Sequence, residues 1–558
     1  MPTTSSPTFP IPIAANAIRP PSRPMWPAPG RVRKHRPRER GGRVPPIRIH
    51  DEHGLIDIRY PEGAVHVLDP STQSRRPRSA RFVSDTRDRA APAHPTTARR
   101  WATIPGPRIT KAEIGFSRAP GASLYFAMLR MWRFANAAIA RRSARSSRTR
   151  TCRMTARDAV DPRAALRDAL AALPDLANAI GQDAAQREAR RELPFEGFAI
   201  FRRSALGVLR IPVARGGLGG TLVDLFDTVA TLAAADSNLA HALRIHYDQT
   251  ETLRLSPRTP FNDVQLERVR AGAIFGGAST ERGTSRPGEN TAVLRRDGDH
   301  YRVAGRKYYS TGTAFADFAR INVENEQGDA VAVIIPVARD GVQVLDDWDG
   351  MGQRMTASGS LLLDDVQVFA DEVAARDGST LVGRHCGALR QLHLVATGAG
   401  IVRNVVADAR RYVLAHGRPA LHSPAPTARD DHFIQQVVGE LSAHSHAIDA
   451  LVRENARALD RSADAIEAGD ADAHALVLES ALATARTQLI VSKLALHAAE
   501  RLFEVGGASA TAREHNLDRH WRNLRTIFSH NPLLHKARVI GDYELNGVTT
   551  HLTEGRVF

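Results

Sequence analysis

Cysteine is scarce in this sequence, with Cys152 and Cys386 the only two among 558 residues. Two thiols supply neither a disulfide framework nor a thiolate metal set, and they fit a reducing compartment. Apolar runs of membrane-spanning length are missing as well. The nearest, Gly121 to Ala140, is interrupted by Arg130 and Arg133, which argues against a transmembrane helix. A dinucleotide-binding loop is also lacking. Gly216-Gly-Leu-Gly-Gly-Thr221 has no third glycine at the required spacing and no surrounding β-α-β unit, so it reads as a turn before a helix over Leu222–Ala234. His241 and His246 stand five apart and do not share a helix face as a four-residue pair would, so no metal site is expected.

What is abundant is positive charge, a formal +16, which by itself suggests nucleic acid or a membrane surface. The charge is unevenly spread. Residues 1–153 hold 30 Lys and Arg against 9 Asp and Glu, whereas the remainder is mildly acidic. The leader is rich in Pro and Arg, with 28 Arg to 2 Lys, and has too few periodic apolar positions to offset chain entropy. A phosphate-binding tail and an Arg-rich targeting peptide are two readings of it. The favoured expectation is a disordered segment or an upstream frame read from an early start, because ordinary globular sequence follows Met154. No nucleic-acid or membrane partner is expected, and the location implied is cytoplasmic.

Beyond the leader the chain reads as three parts: an α domain over 154–270, a β domain over 271–378, and an α bundle over 379–558. In the first, Asp161-Pro162 is a helix start, and Asp236-Ser-Asn caps a later helix. In the second, Asp297-Gly298 is a hairpin turn, and Ala319–Val323 pairs with Ala330–Ile335 across a second turn. Leu361-Leu-Leu and Val366-Gln-Val read as two strands split by Asp364-Asp365. Ser279, Thr280, Ser310 and Thr311 gather where strands begin or end; turn chemistry and hydrogen bonding to a heteroaromatic ring explain them equally well. In the third part, long apolar stripes ended by Gly417 and by Phe503-Glu-Val-Gly-Gly507 suggest an up-and-down bundle. The late segment Arg519–Pro532 is dense in Arg, His and aromatics, which makes it a site candidate.

These motifs together resemble the acyl-CoA dehydrogenase superfamily over about residues 190–545. Ser279-Thr280-Glu281 is similar to its Thr-Glu-Pro motif, and Lys307-Tyr-Tyr-Ser-Thr311 to its Lys-x-Trp-Ile-Thr motif. Met351-Gly-Gln-Arg354 through Asp365-Val-Gln-Val368 is the most specific match. The resemblance implies an α+β fold with an N-terminal helical domain, a central β domain and a C-terminal four-helix bundle. It also implies that Ser279, Thr280, Tyr309 and Thr311 hold a flavin ring.

One absence redirects the function. Dehydrogenases of the superfamily carry a glutamate base late in the bundle, but the equivalent stretch here, Ile527-Phe-Ser-His-Asn-Pro532, has no carboxylate. Trp521-Arg-Asn-Leu-Arg-Thr526 followed by His530 and Pro532 resembles the flavin-dependent monooxygenase branch instead. Its members oxygenate dibenzothiophene and other organosulfur or aromatic compounds. The resemblance assigns His530, His246 and Ser310 to catalysis, and Arg418, Gly507 and Arg525 to the cofactor. It implies a two-component enzyme working through a C4a-(hydro)peroxyflavin, with FMN or FAD, O2 as co-substrate, a separate NAD(P)H:flavin reductase and a homotetramer. The competing expectation is an FAD-dependent acyl-CoA dehydrogenase with its base elsewhere.

Overall fold

The computed structural model describes residues 48–49, 56–57, 161, 163–285, 288–376 and 378–553. The chain divides into two compact units, 1–146 and 147–558. In the first, strands β1 (Arg48–Ile49) and β2 (Ile56–Asp57) pair antiparallel. The remaining expectations for the leader lie outside the described residues.

The second unit opens with four short helices, α1 (Ala164–Ala171), α2 (Leu173–Gly181), α3 (Ala184–Arg190) and α4 (Phe195–Arg202). The first of them follows Asp161, whose side chain accepts the Arg163 amide at 2.9 Å, the contact expected of a residue that starts a helix. The glycine cluster at 216–221 is a tight turn. Gly216 and Gly219 take φ of +82° and +64°, and a Cβ on Gly217 would sit 2.1 Å from the Ile211 carbonyl. Thr221 and Asp224 then close a capping box on α5 (Leu222–Ala235). Asp236 caps α6 (Ser237–Ala242) by accepting from the Asn238 and Leu239 amides, and a break at Leu243 precedes α7 (Arg244–Leu255). Helix α8 (Pro260–Arg270) leads into the sheet.

The sheet comprises β3 (Phe275–Ala278), β4 (Val293–Asp297), β5 (His300–Lys307), β6 (Phe318–Asn325), β7 (Ala330–Pro336), β8 (Val342–Val344), β9 (Leu361–Val368) and β10 (Val373–Ala375). Its order is β10-β7-β6-β4-β5-β9-β8, with β3 alongside β6 in parallel. Both expected hairpins form, β4–β5 across Gly298 at φ +63° and β6–β7 across Asn325–Asp329. The expected split of β9 does not occur. Asp364 and Asp365 stay within one strand, where Asp365 takes φ +45° and the register against β5 shifts between Val303 and Gly305. A bulge absorbs the polar pair without ending the strand.

Three long helices follow, α9 (Leu381–Ala415), α10 (His432–Ala468) and α11 (Ala473–Arg501). They are covered by α12 (Asp518–Phe528) and α13 (Leu533–Asn546), with a final turn α14 (Thr550–Thr553). The entry and exit helices share one core: Leu222, Phe226 and Val229 of α5 belong with Leu389 and Val402 of α9 and Leu459 of α10. The sheet has its own core around Val303, Ile321, Val333 and Val366. Among the described residues no helix is long and apolar enough to cross a membrane.

Helices α5 and α9 approach through Gly400, where an added Cβ would lie 2.3 Å from the Ala230 carbonyl and 2.5 Å from Ala233 Cβ. Neither neighbour is a flexible side-chain end. Gly400→Ala is therefore expected to cost about 1–3 kcal/mol, read as a lower thermal midpoint and an earlier urea transition than the parent protein.

Candidate active site

The loop between β8 and β9 touches both the entry helices and α12. A Cβ on Gly352 would fall 2.0 Å from the Arg522 carbonyl, so only glycine lets the loop lie against α12. The next residue, Gln353, takes φ +50°. Its amide donates to Asn523 Oδ1 at 2.6 Å, and its carbonyl accepts from Trp348 Nε1 at 2.9 Å. Its side chain donates to Ser237 Oγ at 3.1 Å and lies 3.0 Å from His241 Nδ1. Two further non-glycine residues have left-handed backbone, Ala357 four positions on at φ +48° and Tyr309, which reaches the loop through Trp348, at +59°. Each costs about 1–2 kcal/mol, and such strain clusters at functional sites.

A run of hydroxyls follows from this loop. Thr311 Oγ1 lies 2.7 Å from Ser358 Oγ, which lies 2.6 Å from Thr356 Oγ1, and that hydroxyl donates to the Gln353 carbonyl at 2.8 Å. Tyr309 is half exposed and edges against Tyr308 and Trp348, with ring centroids 4.8 and 6.1 Å away. Ser279 is exposed and Thr280 partly buried; the Thr280 carbonyl accepts the Tyr308 amide at 2.7 Å, and neither hydroxyl has a protein partner among the described residues. Glu281 is structural. Lys307 donates to it at 2.5 Å, and the Thr291 and Ala292 amides donate as well. Burial works against the Glu281 charge, but these donors outweigh it and hold the carboxyl below its ordinary range. Beside Tyr308 a cavity of about 270 Å³ is lined by Arg282 and Arg306, the first with its guanidinium 4.5 Å from the Tyr308 ring centre.

Facing chemistry comes from the entry helices and the end of α12. His241 gives Nδ1–H to the Gln353 amide oxygen, which leaves Nε2 as a buried acceptor with no protein partner among the described residues. Burial, then the Arg244 and His530 charges, push its pKa well below the ordinary imidazole value. His530 Nε2 lies 3.2 Å from Arg244 Nη2, and its Nδ1 lies 3.1 Å from Asn531 Oδ1. Arginine can only donate, so His530 carries its proton on Nδ1. Both Arg244 and His530 keep accessible surface while protein surrounds them on most sides, which makes their exposure a recess. Loss of water, then the Arg244 charge, lowers His530 to about 3, and burial brings Lys536 nearby down to about 7.

Several residues expected at the site stand elsewhere. His246 is fully buried, with Nε2 2.9 Å from the Gly207 carbonyl and Nδ1 accepting the Phe275 amide at 3.4 Å; both nitrogens are committed to backbone. Ser310 is buried and gives its hydroxyl to the Gly359 carbonyl at 2.8 Å, because the left-handed turn at Tyr309 sends the next residue inward. Arg418 lies beyond the last turn of α9. His393, within the first half of the same helix and with Nε2 2.8 Å from the Ala240 carbonyl, marks the site's side, roughly 33 Å from Ala415 at 1.5 Å per residue. Gly507, at φ +54°, lies on that distant side too, since its neighbour Gly506 packs on Tyr412. Arg525 is exposed on α12. The fold of a single chain thus brings Tyr309, Thr311 and His530 into the region of the Gln353 loop and leaves Arg418 and Gly507 remote.

Sequence reasoning missed His241, Arg244, Gln353 and Ser358. A usable signal existed in His241 and Arg244, which are three apart and lie on one side of a helical segment.

The buried histidines make stability depend on pH. Burial lowers His246 to about 4 and His393 to about 3 from an ordinary 6.5. Between those values the unfolded chain binds more protons, so stability is complete above about pH 6.5 and declines as pH falls toward 4. Thermal midpoints are expected to stay level from pH 7.5 to about 6.5 and to fall from there to pH 5. His393→Gln is expected to remove up to about 1.4 kcal/mol per pH unit from that slope.

Residues 392–533 match the model for the acyl-CoA dehydrogenase C-terminal domain. The chain is 30% identical over 388 residues to a probable FMNH2-dependent monooxygenase, SfnC, of Pseudomonas putida, covering 68% of this chain and 95% of that protein. It superposes on FMN-bound TdsC, a dibenzothiophene monooxygenase of Paenibacillus sp. A11-2, with a TM-score of 0.64 and 26% identity over 68% of this chain and 98% of that one. It also superposes on the methanesulfinate monooxygenase MsuC of Pseudomonas fluorescens, with a TM-score of 0.62 and 28% identity over 68% and 97%. By these matches the chain belongs to the acyl-CoA dehydrogenase superfamily, on its flavin-dependent monooxygenase branch.

Proposed function

We propose that the protein is the oxygenase of a two-component system. It would take reduced FMN from a separate NAD(P)H:flavin reductase and insert one oxygen atom of O2 into a small organosulfur or aromatic compound. The observation that carries this is His530, held neutral beside Arg244 with no unpaired carboxylate near it among the described residues. The carboxylate closest in influence, Asp248, is bonded to Arg320 at 3.2 Å and Arg390 at 2.6 Å. An acyl-CoA dehydrogenase needs a free base there, so the dehydrogenase reading loses its proton acceptor. FMN is favoured over FAD because the FMNH2-dependent relative and the FMN-bound neighbour both point to it.

The residues fit a flavin. Tyr309 offers an aromatic face, Ser279 and Thr280 offer uncommitted hydroxyls, and Thr311 stands at the end of a hydroxyl chain, all suited to the polar edge of an isoalloxazine. The flavin when bound supplies the electrons that activate O2. The protein's share is to exclude water and hold protons at stated atoms. His241 keeps an acceptor at Nε2, Gln353 fixes its tautomer, and Arg244 keeps a positive charge beside His530. Arg418 and Gly507, remote from this cluster in one chain, fit contacts to a flavin in another copy within a homotetramer.

The test measures O2 uptake, product and hydrogen peroxide with reduced FMN and an added reductase. The parent protein is expected to consume O2 without any acyl thioester. His530→Ala is expected to bind FMN with affinity within about threefold of the parent while releasing most reducing equivalents as hydrogen peroxide. Normal coupling in His530→Ala would refute its role, and bleaching of bound flavin by an acyl-CoA under anaerobic conditions would restore the dehydrogenase reading.

A further inference from the structure

The residue left without a task by the hydroxyl cradle is Arg244. Its one hydrogen bond among the described residues runs to a neutral acceptor, His530 Nε2, at 3.2 Å. Its Nε is buried and has no partner among them. It makes no ion pair among the described residues, because the neighbouring carboxylate, Asp248, already holds Arg320 and Arg390. Arg390 adds repulsion, and Arg376 stands close to both Arg320 and Arg390. The Lys536 charge also acts on His530, while His241 and His393 contribute unprotonated nitrogens. The recess therefore carries more fixed positive charge than protein anions neutralise. A guanidinium partly withdrawn from water, with a buried Nε and no ion pair among the described residues, is a group that an anionic ligand would complete.

We propose that Arg244 is the receptor for an oxyanion on the substrate, and that the substrate is a small organic sulfinate. The inference rests on the monooxygenase reading and narrows it. A sulfinate presents two oxygens that a guanidinium fork can hold in a bidentate manner. Its sulfur keeps a lone pair, so it can still accept oxygen; a sulfonate has no such pair, and a thioether or sulfone has no charge for Arg244 to neutralise. The reaction balances as R–SO2⁻ + O2 + reduced FMN → R–SO3⁻ + H2O + FMN. The sulfur lone pair forms the new S–O bond as the O–O bond breaks. Sulfur supplies two electrons and reduced FMN the other two, and the two protons of reduced FMN leave in water. Arg244 is thus a binding residue for substrate, and Arg320, Arg376 and Arg390 add to the field that draws an anion inward.

The test uses the full-length protein with methanesulfinate and neutral dimethyl sulfone as probes. Binding is read first, by anaerobic calorimetry without reduced flavin, so that it does not depend on turnover. The parent is expected to bind methanesulfinate at least about tenfold more tightly than dimethyl sulfone. Arg244→Met is expected to weaken methanesulfinate binding at least about 100-fold, and Arg244→Lys, which keeps the charge but not the fork, about tenfold. With the reductase added, the ratio of kcat/KM for methanesulfinate to that for dimethyl sulfone is expected to fall at least about 30-fold in Arg244→Met. Equal binding of methanesulfinate by the parent and both variants would overturn the proposal whatever the activity. Loss of binding in Arg244→Met, with no oxygen transfer to either probe by the parent, would support the receptor and refute the monooxygenase reading. If Arg244→Met does not fold, Arg244→Lys decides, and unchanged affinity in that variant would overturn the proposal.

Discussion

Gln353 bonds all three parts of the site and holds them in register. Its backbone bonds α12 and the Trp348 indole, and its side chain bonds Ser237 and His241 of the entry helices. The hydroxyl chain from Thr311 ends on its carbonyl. These contacts require a left-handed backbone at a residue with a side chain and a glycine immediately before it. The strain is small beside these satisfied polar contacts in a buried setting, where each unmade bond would cost about 1–3 kcal/mol. Sheet, entry helices and bundle are thereby set in one geometry by hydrogen bonds.

Burial then decides the chemistry of the nitrogens. His241, His246 and His393 are buried and His530 is exposed but crowded by protein, and all four are driven toward the neutral form. Their partners separate them into roles. Where the ring bonds backbone on both sides, as at His246, the histidine holds elements together. Where one nitrogen remains without a partner among the described residues, as at His241, the same residue type is available to a ligand. Arg244 keeps its positive charge in the same recess, because even at about 10 its pKa stays far above neutral pH. Neutral acceptors beside a fixed cation suit the handling of oxygen and of an anion better than the removal of a carbon-bound proton.

The fold was legible because it depends on local chemistry. Asp236 and Thr221 cap helices, Gly298 turns a hairpin, and the apolar stripes of α9 and α10 repeat at helical spacing. The continuity of β9 was not legible, since a bulge at Asp365 depends on its pairing with β5. At the candidate site, His530, Tyr309 and Thr311 were named from motif and position, and the fold brings them into the region of the Gln353 loop. His241 rather than His246 bonds the Gln353 loop, because the break at Leu243 turns the second away from it, and a sequence does not say which of two faces a helix buries. Ser310 is turned inward to the Gly359 carbonyl for a similar reason: the backbone sign at Tyr309 sets its direction, and tertiary contacts set that sign. Arg418 and Gly507 were placed by motif alone, and within one chain the length of α9 keeps them from the cluster.

The central claim is that this recess handles oxygen transfer where dehydrogenases of the same fold handle proton abstraction. Turnover of methanesulfinate with reduced FMN under ¹⁸O₂ tests it most directly, with the product read by mass spectrometry. One ¹⁸O atom per product molecule is the predicted result. Product formed without label, or flavin reduced by an acyl thioester with no oxygen consumed, would contradict it.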